Sequence, residues 1–530
     1  MNLLNDLYNE LNQIEHSRII SSVDIQRKIY NQYKQYKKNK TEESINKICD
    51  ITQDQVITEY QRFLENYFQR HIYKGILIYA MVGGGKTLSS ILMANEYKKR
   101  NPEMNIIVLV PASLRVNYSR ELNKWAPGQK DDYQIYGYNH ISIIKNLPNI
   151  DNSLIIIDEI QNVISMIANK SSIGLFLYKK LIAAQNSKII TLSATPSINS
   201  PYEYAILFNI LKEPRTFTLD PDLFATRYYN DFTIIDKNVL YEKISGIVSF
   251  YKGLEGSVAY PSYTTIIEDL SPYISENQRN IYNKIYEGED EKRNKKKFSK
   301  KKKMITDYDI AQGIVPMKTI DSFNILSRIA SNWVNEPLDN DDLHLHSIKF
   351  VRVLQHINNS SGKVLVYSSF VEHSLEKLQL YLNKYNIKSL KWIGGISDAS
   401  RNSILNKFNN DNNIRGEKYK VLLVSMAGVE GISLTNVRQV HIIEPHWNEI
   451  KIIQVIGRAI RLCSHYTLPE EERNVKVYRY LATEMDKRVQ GIADAKYKLV
   501  TSFEELLKEG AIDCYLNKEV NNISKCFEEN

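Results

Sequence analysis

The stretch IYAMVGGGKTLSSI, Ile78–Ile91, decides how the rest of the chain is read. An apolar segment runs into three consecutive glycines, then Lys86 and Thr87, then a segment with helix-like character. A flexible turn needs one or two glycines, and the chain has only 21 in 530 residues. Three at one corner imply backbone amides that must come close to something. Ala80, Gly83, Gly85, Lys86 and Thr87 fit the pattern A-x-x-G-x-G-K-T between a strand and a helix, the context a phosphate loop requires. Without side chains at Gly83, Gly84 and Gly85 the amides can wrap phosphates, and the helix N-terminus adds its positive dipole. Lys86 is then expected to pair with the β- and γ-phosphates and Thr87 to bind Mg²⁺, so the expected cofactors are ATP and Mg²⁺.

Working outward, GILIYA (75–80), NIIVLV (105–110), SLIIID (153–158) and KIITLS (188–193) are short, β-branched and apolar throughout. Such strands are buried on both faces, as in a parallel sheet, and helix-like stretches such as KTLSSILMANEYKKR alternate with them. The rhythm fades over 216–345 and resumes with KVLVYSS (363–369), YKVLLVS (419–425) and QVHIIE (439–444). The expected fold is α/β, with two doubly wound parallel-sheet lobes in tandem. The boundaries read as an N-terminal helical segment over 1–55, a first lobe over 56–215, an irregular insertion over 216–345, a second lobe over 346–500 and a tail over 501–530.

LIIIDEIQ (154–161) is a buried strand ending in two acids. Strand ends in open α/β sheets face the ligand crevice, and adjacent acids there are costly to bury without a cation. Asp158 is expected to hold Mg²⁺ through water and Glu159 to polarise the attacking water, with Gln161 as a coupling residue. SATP (193–196) ends the next strand, where Ser193 and Thr195 can link this site to the second lobe. In that lobe SMAGVEGISL (425–434) follows a strand, and QVIGRAIR (454–461) follows on a helix that puts Arg458 and Arg461 on one face. Cationic donors for the charge on a transferred phosphoryl group are what an ATPase needs, and on the opposite lobe they make hydrolysis depend on closure.

The bulk properties bound the class. Length implies two or three domains, and 43% hydrophobic with 25% charged residues is ordinary globular composition. A net charge of +8 is weak evidence for nucleic acid. Cys49, Cys463, Cys514 and Cys526 form no CxxC pair, which argues against a zinc knuckle or a disulfide scaffold and suits a reducing compartment. No apolar run approaches the ~18 residues of a membrane span, and the first residues carry no secretory leader, so the expected location is intracellular. Heavy use of Lys, Asn, Ile and Tyr suits an AT-rich genome.

In order along the chain, AMVGGGKT, DEIQ, SATP, the 425–434 segment and QVIGRAIR resemble the motifs of superfamily 2 helicases and translocases. The resemblance implies RecA-like lobes, with Gln61 reading the base and Gly431 and Gln454 completing the nucleotide site. It implies backbone contacts to nucleic acid from VPASLRVNYSREL (110–122), through Pro111 and Arg115, and from GKVLVYSSF (362–370), through Ser369. SATPSINSPYEYAILFNIL (193–211), GIVSFYKG (246–253), 437–475 and AIDC (511–514) resemble a viral subgroup containing poxvirus early transcription factor and nucleoside triphosphate phosphohydrolase I, with relatives in giant viruses and yeast cytoplasmic plasmids. That implies a DNA-dependent ATPase working with a virus-type RNA polymerase in the cytoplasm, in a virion or in a cytoplasmic plasmid system, as a monomeric motor or a subunit. RNA is a second candidate ligand, and no membrane partner is expected.

The run Glu291–Lys303 carries nine Lys or Arg, including Lys295, Lys296 and Lys297. Self-repulsion predicts disorder when free, and DNA contact, a solvated loop or a nuclear signal all fit it. His446 and Trp447 either couple nucleic acid to the arginines or, for Trp447, pack in a core. Two alternatives to a motor stand beside it: a binding factor that uses ATP as a conformational switch, and the motor subunit of a restriction system, for which no nuclease or methyltransferase motif is recognisable.

Overall fold

The computed structural model describes residues 22–37, 49, 57–81, 83–197, 199–230, 233–253, 259–299, 324–334, 342–426 and 432–527. Two six-stranded sheets dominate it, and every strand pair within each is parallel. The first contains β1 (Gly75–Ala80), β2 (Asn105–Val110), β3 (Tyr133–Gly137), β4 (Ser153–Ile157) and β5 (Lys188–Ser193). A small antiparallel hairpin follows, β6 (Tyr229–Asn230) and β7 (Thr233–Ile234). Then β8 (Val248–Tyr251) closes the first sheet in the order β3-β2-β4-β5-β1-β8. The second is built from β9 (Ser262–Asp269), β10 (Lys363–Tyr367), β11 (Ser389–Trp392), β12 (Val421–Val424), β13 (Val437–Ile442) and β14 (Asn474–Leu481), ordered β11-β12-β10-β13-β14-β9. These are tandem RecA-like lobes.

The apolar runs become central strands because their alternate side chains enter different cores. Leu77, Tyr79, Ile155 and Ile157 join the cluster on one face of the first sheet, while Ile76, Ile78, Leu154 and Ile156 join that on the other. The order also separates β1, which leads into the glycines, from β4, which ends at the acids. They flank β5, so Ser193 emerges between the two motifs.

The 216–345 stretch is less of an insertion than its composition suggests, since it supplies an edge strand to each sheet, β8 to the first and β9 to the second. The last segment is likewise tied in. A single helix runs from Glu484 to Glu509, about 39 Å at 1.5 Å per residue. Its first half packs Met485, Val489 and Ile492 beside Trp447, and its second half puts Leu499, Phe503, Leu506 and Leu507 into the core of the first lobe. Asp513 then anchors the chain to β8, accepting from the Phe250 N–H (3.0 Å) and the Ser249 hydroxyl (2.8 Å).

The cysteines depart from expectation. Cys49 pairs with Cys463, and Cys514 with Cys526. The first pair is 414 residues apart in sequence, a proximity that motif spacing cannot reveal. The basic run differs too. The helix Glu276–Ser299 carries it as far as Ser299, while Lys300–Lys303 lie outside the described residues. Tyr282 is buried with Ala330 and Met485, and Glu289 accepts the Leu326 and Ser327 N–H groups at 3.1 Å each. The helix is nucleated by that packing and propagates into the lysines at low cost per residue.

Candidate functional site

The glycine loop has the geometry its composition predicts. Gly83 (φ 83°) and Gly85 (φ 74°) are left-handed. A Cβ on Gly85 would lie 2.4 Å from Gln61 Nε2 and would displace that amide, on a backbone already left-handed. A Cβ on Gly83 would meet the Tyr260 hydroxyl and Leu462, both of which follow the first sheet in sequence. Lys86 starts the next helix (Lys86–Arg100), and its Nζ donates to the Ala80 carbonyl at 2.9 Å, folded back across the loop. Burial lowers the Lys86 pKa, Glu159 and Asp158 raise it, and Arg461 and Arg458 lower it further. All four charged groups therefore act on one ammonium. Thr87 is half-buried in the first turn of the same helix.

Gln61 is buried at the third position of the helix Glu59–Phe68. Its Oε1 accepts the Thr58 N–H (2.9 Å) in a capping box, while its Nε2 faces Gly85. The structure thus gives its oxygen to the backbone and its nitrogen to the loop.

β4 delivers Asp158 and Glu159 to the same crevice. Glu159 is left-handed (φ 50°, ψ 51°), strained for a residue with a side chain. The fully buried Tyr138 holds that turn, its hydroxyl 3.1 Å from both the Asp158 and Glu159 carbonyls. Asp158 accepts the Glu159 N–H (2.9 Å), and burial followed by the Glu159 charge pushes its pKa up to about 7 against the pull of Lys86. Two adjacent acids at a buried strand end are costly to ionise without a neutralising cation. From Glu159 a chain of bonds leads outward. Gln161 donates to the Glu159 carboxylate and accepts from the Ser193 hydroxyl (2.7 Å), and Ser193 Oγ accepts the Thr195 N–H (2.9 Å). Across the cleft, Gln454 Nε2 reaches Thr195 Oγ1 at 3.4 Å, a long hydrogen bond.

Gln454 lies on the helix Glu449–Ala459 of the second lobe, which also carries Arg458, with Arg461 just beyond its end. Burial, then the Arg458 charge, lower the Arg461 pKa to about 10, against Tyr260 and Glu159, which act in the opposite sense. Lys86, the acid pair and both arginines are thus brought together. Gly431 lies outside the described residues.

The residues expected at nucleic acid are not gathered in one place. Pro111 is buried after β2 and Arg115 exposed at the start of the helix Arg115–Trp125. Ser369 follows β10, its N–H held by the buried Glu444 carboxylate (2.5 Å). Lys295, Lys296 and Lys297 are on the last turns of Glu276–Ser299. Trp447 is a core residue with no exposed surface, stacked under Arg328. His446 Nδ1 accepts the Asn448 N–H (3.0 Å), and burial holds its pKa well below the usual value. Tyr138, Glu444 and Asn448 are not legible as site residues from sequence, since no local spacing distinguishes them. Among the described residues no cluster of three His, Cys, Asp or Glu is placed to hold a metal ion.

The helicase conserved C-terminal domain family matches residues 348–463, from the helix before β10 through the arginine segment. "Putative ATP-dependent RNA helicase R563" of Acanthamoeba polyphaga mimivirus is 28% identical over 522 residues, covering 87% of this chain and 89% of its own. "Nucleoside triphosphatase I" of Melanoplus sanguinipes entomopoxvirus is 26% identical, covering 78% and 71%. "Termination factor NPH-I homolog" of African swine fever virus is 26% identical, covering 84% and 77%. With the paired lobes and the cleft between them, these likenesses support a superfamily 2 helicase-type ATP hydrolase similar to the viral nucleoside triphosphatase I-like group.

Proposed function

We propose that this ATPase is a nucleic-acid-stimulated motor, with DNA as its track, acting beside a virus-type RNA polymerase. The observation that carries the reading is the convergence of Lys86 and the acid pair from one lobe with Arg458 and Arg461 from the other. The glycine cradle, the folded-back Lys86 and the raised Asp158 fit ATP with Mg²⁺. Bound there, the nucleotide supplies the anhydride bond to be cleaved and the cation neutralises phosphate charge. The chain's own groups do the rest. Gly83, Gly84, Gly85 and Lys86 would bind the phosphates; Thr87, and Asp158 through water, would hold the cation; Glu159 would orient the attacking water. Arg458 and Arg461 stabilise charge once the lobes close, Gly431 and Gln454 contribute from the second lobe, and Gln61 reads the base.

The nucleic-acid part rests on Pro111, Arg115 and Ser369 on the two lobes and on the lysine-bearing helix. The transcription role rests on a relative named as a termination factor. Among the described residues no helix is long and apolar enough to cross a membrane. The cytoplasm or a virion is the proposed place of action, and two disulfides suit the more oxidising of these.

Steady-state ATPase assays with double-stranded DNA, single-stranded DNA and RNA test the motor, together with a pull-down of polymerase subunits. Many turnovers per binding event, stimulated by DNA and abolished by Lys86→Ala, are expected. A single slow turnover with the chain still bound would favour the ATP-switched bridging factor instead.

A further inference from the structure

The loop that follows β5 meets the arginine-bearing helix at a second point beyond Thr195. Asn448 Nδ2 donates to Asn199 Oδ1 across the cleft at 3.2 Å. Each partner is fixed from its own side. In the first lobe Glu203, with no exposed surface, accepts from the Asn199 N–H (2.9 Å), Asn199 Nδ2 (3.0 Å) and the Ser197 hydroxyl (3.2 Å). Ser165 Oγ takes a second bond from Asn199 Nδ2 (2.9 Å). In the second lobe Asn448 is 2% exposed and is the N-cap of Glu449–Ala459, its Oδ1 accepting the Ile450 N–H at 2.9 Å.

Donor and acceptor roles follow from one group. Asn199 turns its nitrogen to Glu203 Oε1 and Ser165 Oγ, which leaves its oxygen as the acceptor facing the other lobe. Asn448 must then present nitrogen to the cleft, which leaves its oxygen for the helix start. The arrangement that lets the lobes meet is thus the one that caps the helix bearing Arg458.

We propose that Asn199 and Asn448 form a closure latch, positioning residues that seat the arginine helix when the lobes come together. The proposal rests on the reading that lobe-two arginines act on a nucleotide held in lobe one. Thr195 and Gln454 make the second contact on the same helix, so the latch fixes its start and Gln454 its middle.

Asn448→Asp separates latch from cap, because it keeps the acceptor for the Ile450 N–H but turns a carboxylate oxygen toward Asn199 Oδ1. The expected result is a kcat at saturating ATP about tenfold lower, the worth of one interaction of this kind. KM for ATP should stay near wild type. Small-angle scattering of the nucleotide-free chain should give a larger radius of gyration. In a double-mutant cycle with Asn199→Ala, the two losses should not multiply, since either substitution already breaks the contact. Wild-type turnover with kcat of Asn448→Asp within twofold, or losses that multiply, overturns the latch alone. A wild-type chain with no ATP turnover overturns the parent reading and the latch with it.

Discussion

Asp158 is the residue whose environment makes the sharpest demand. Its pKa in the fold, about 7, stands above the usual carboxylate value, so its contribution to stability is full below about pH 4 and is lost as pH rises through 7. In the nucleotide-free chain the ionised form costs on the order of 4 kcal/mol at pH 8. Asp158→Asn should therefore stabilise that chain more at pH 8 than at pH 4, as read by urea unfolding at the two pH values. A gain independent of pH would rule out a buried, cation-ready acid. Lys86, Asp158 and Glu159 are legible in the sequence because phosphate and metal chemistry needs contiguous residues at the end of a strand. Tyr138, which holds the strained Glu159 turn, is not, because its partners lie about twenty residues away and a tyrosine after a strand predicts no such contact.

At the scale of elements, two helices carry the testable charges. Arg461→Ala should reduce kcat by ~10³-fold or more if it stabilises phosphoryl charge as other arginine fingers do. A loss below tenfold in a steady-state assay would move that role to Arg458. Neutralising Lys295, Lys296 and Lys297 should lower the slope of log affinity against log salt by roughly 0.9 for each phosphate that is no longer neutralised. An unchanged slope in fluorescence-anisotropy titrations would take this helix out of the DNA path. Strands such as β1 and β4 can be read directly, because burial on both faces demands unbroken β-branched runs. β9 cannot: it is an edge strand with largely exposed side chains, so SYTTIIED carries no comparable apolar signature. The lysine run misleads for a related reason, since charge repulsion is visible in the sequence while the packing of Tyr282 and the bonds of Glu289 that start the helix are not.

In the whole molecule the two lobes are not independent bodies joined by a tether. Phe503, which follows the second lobe in sequence, is 3% exposed and packs in the first, its ring 5.8 Å from Tyr204 and 6.2 Å from Tyr229. Phe503→Ala should destabilise the first lobe by about 3–5 kcal/mol, visible as faster proteolysis within residues 59–251 while the second lobe stays protected. Equal protection of both lobes would mean that the helix is a passive appendage. The two lobes are legible from the return of the α/β rhythm; their shared helix is not, because an amphipathic segment does not say which sheet it will cover.

That helix also sets a timetable for biosynthesis. The first lobe leaves the ribosome early, yet part of its interior is encoded about 250 residues after β8, a wait of roughly 12–50 s at ordinary elongation rates. Until Leu499, Phe503 and Leu507 are made, the nascent protein carries an open apolar face. The half translated first is finished last, and any stall late in the message leaves a catalytically bare and sticky intermediate in need of a chaperone.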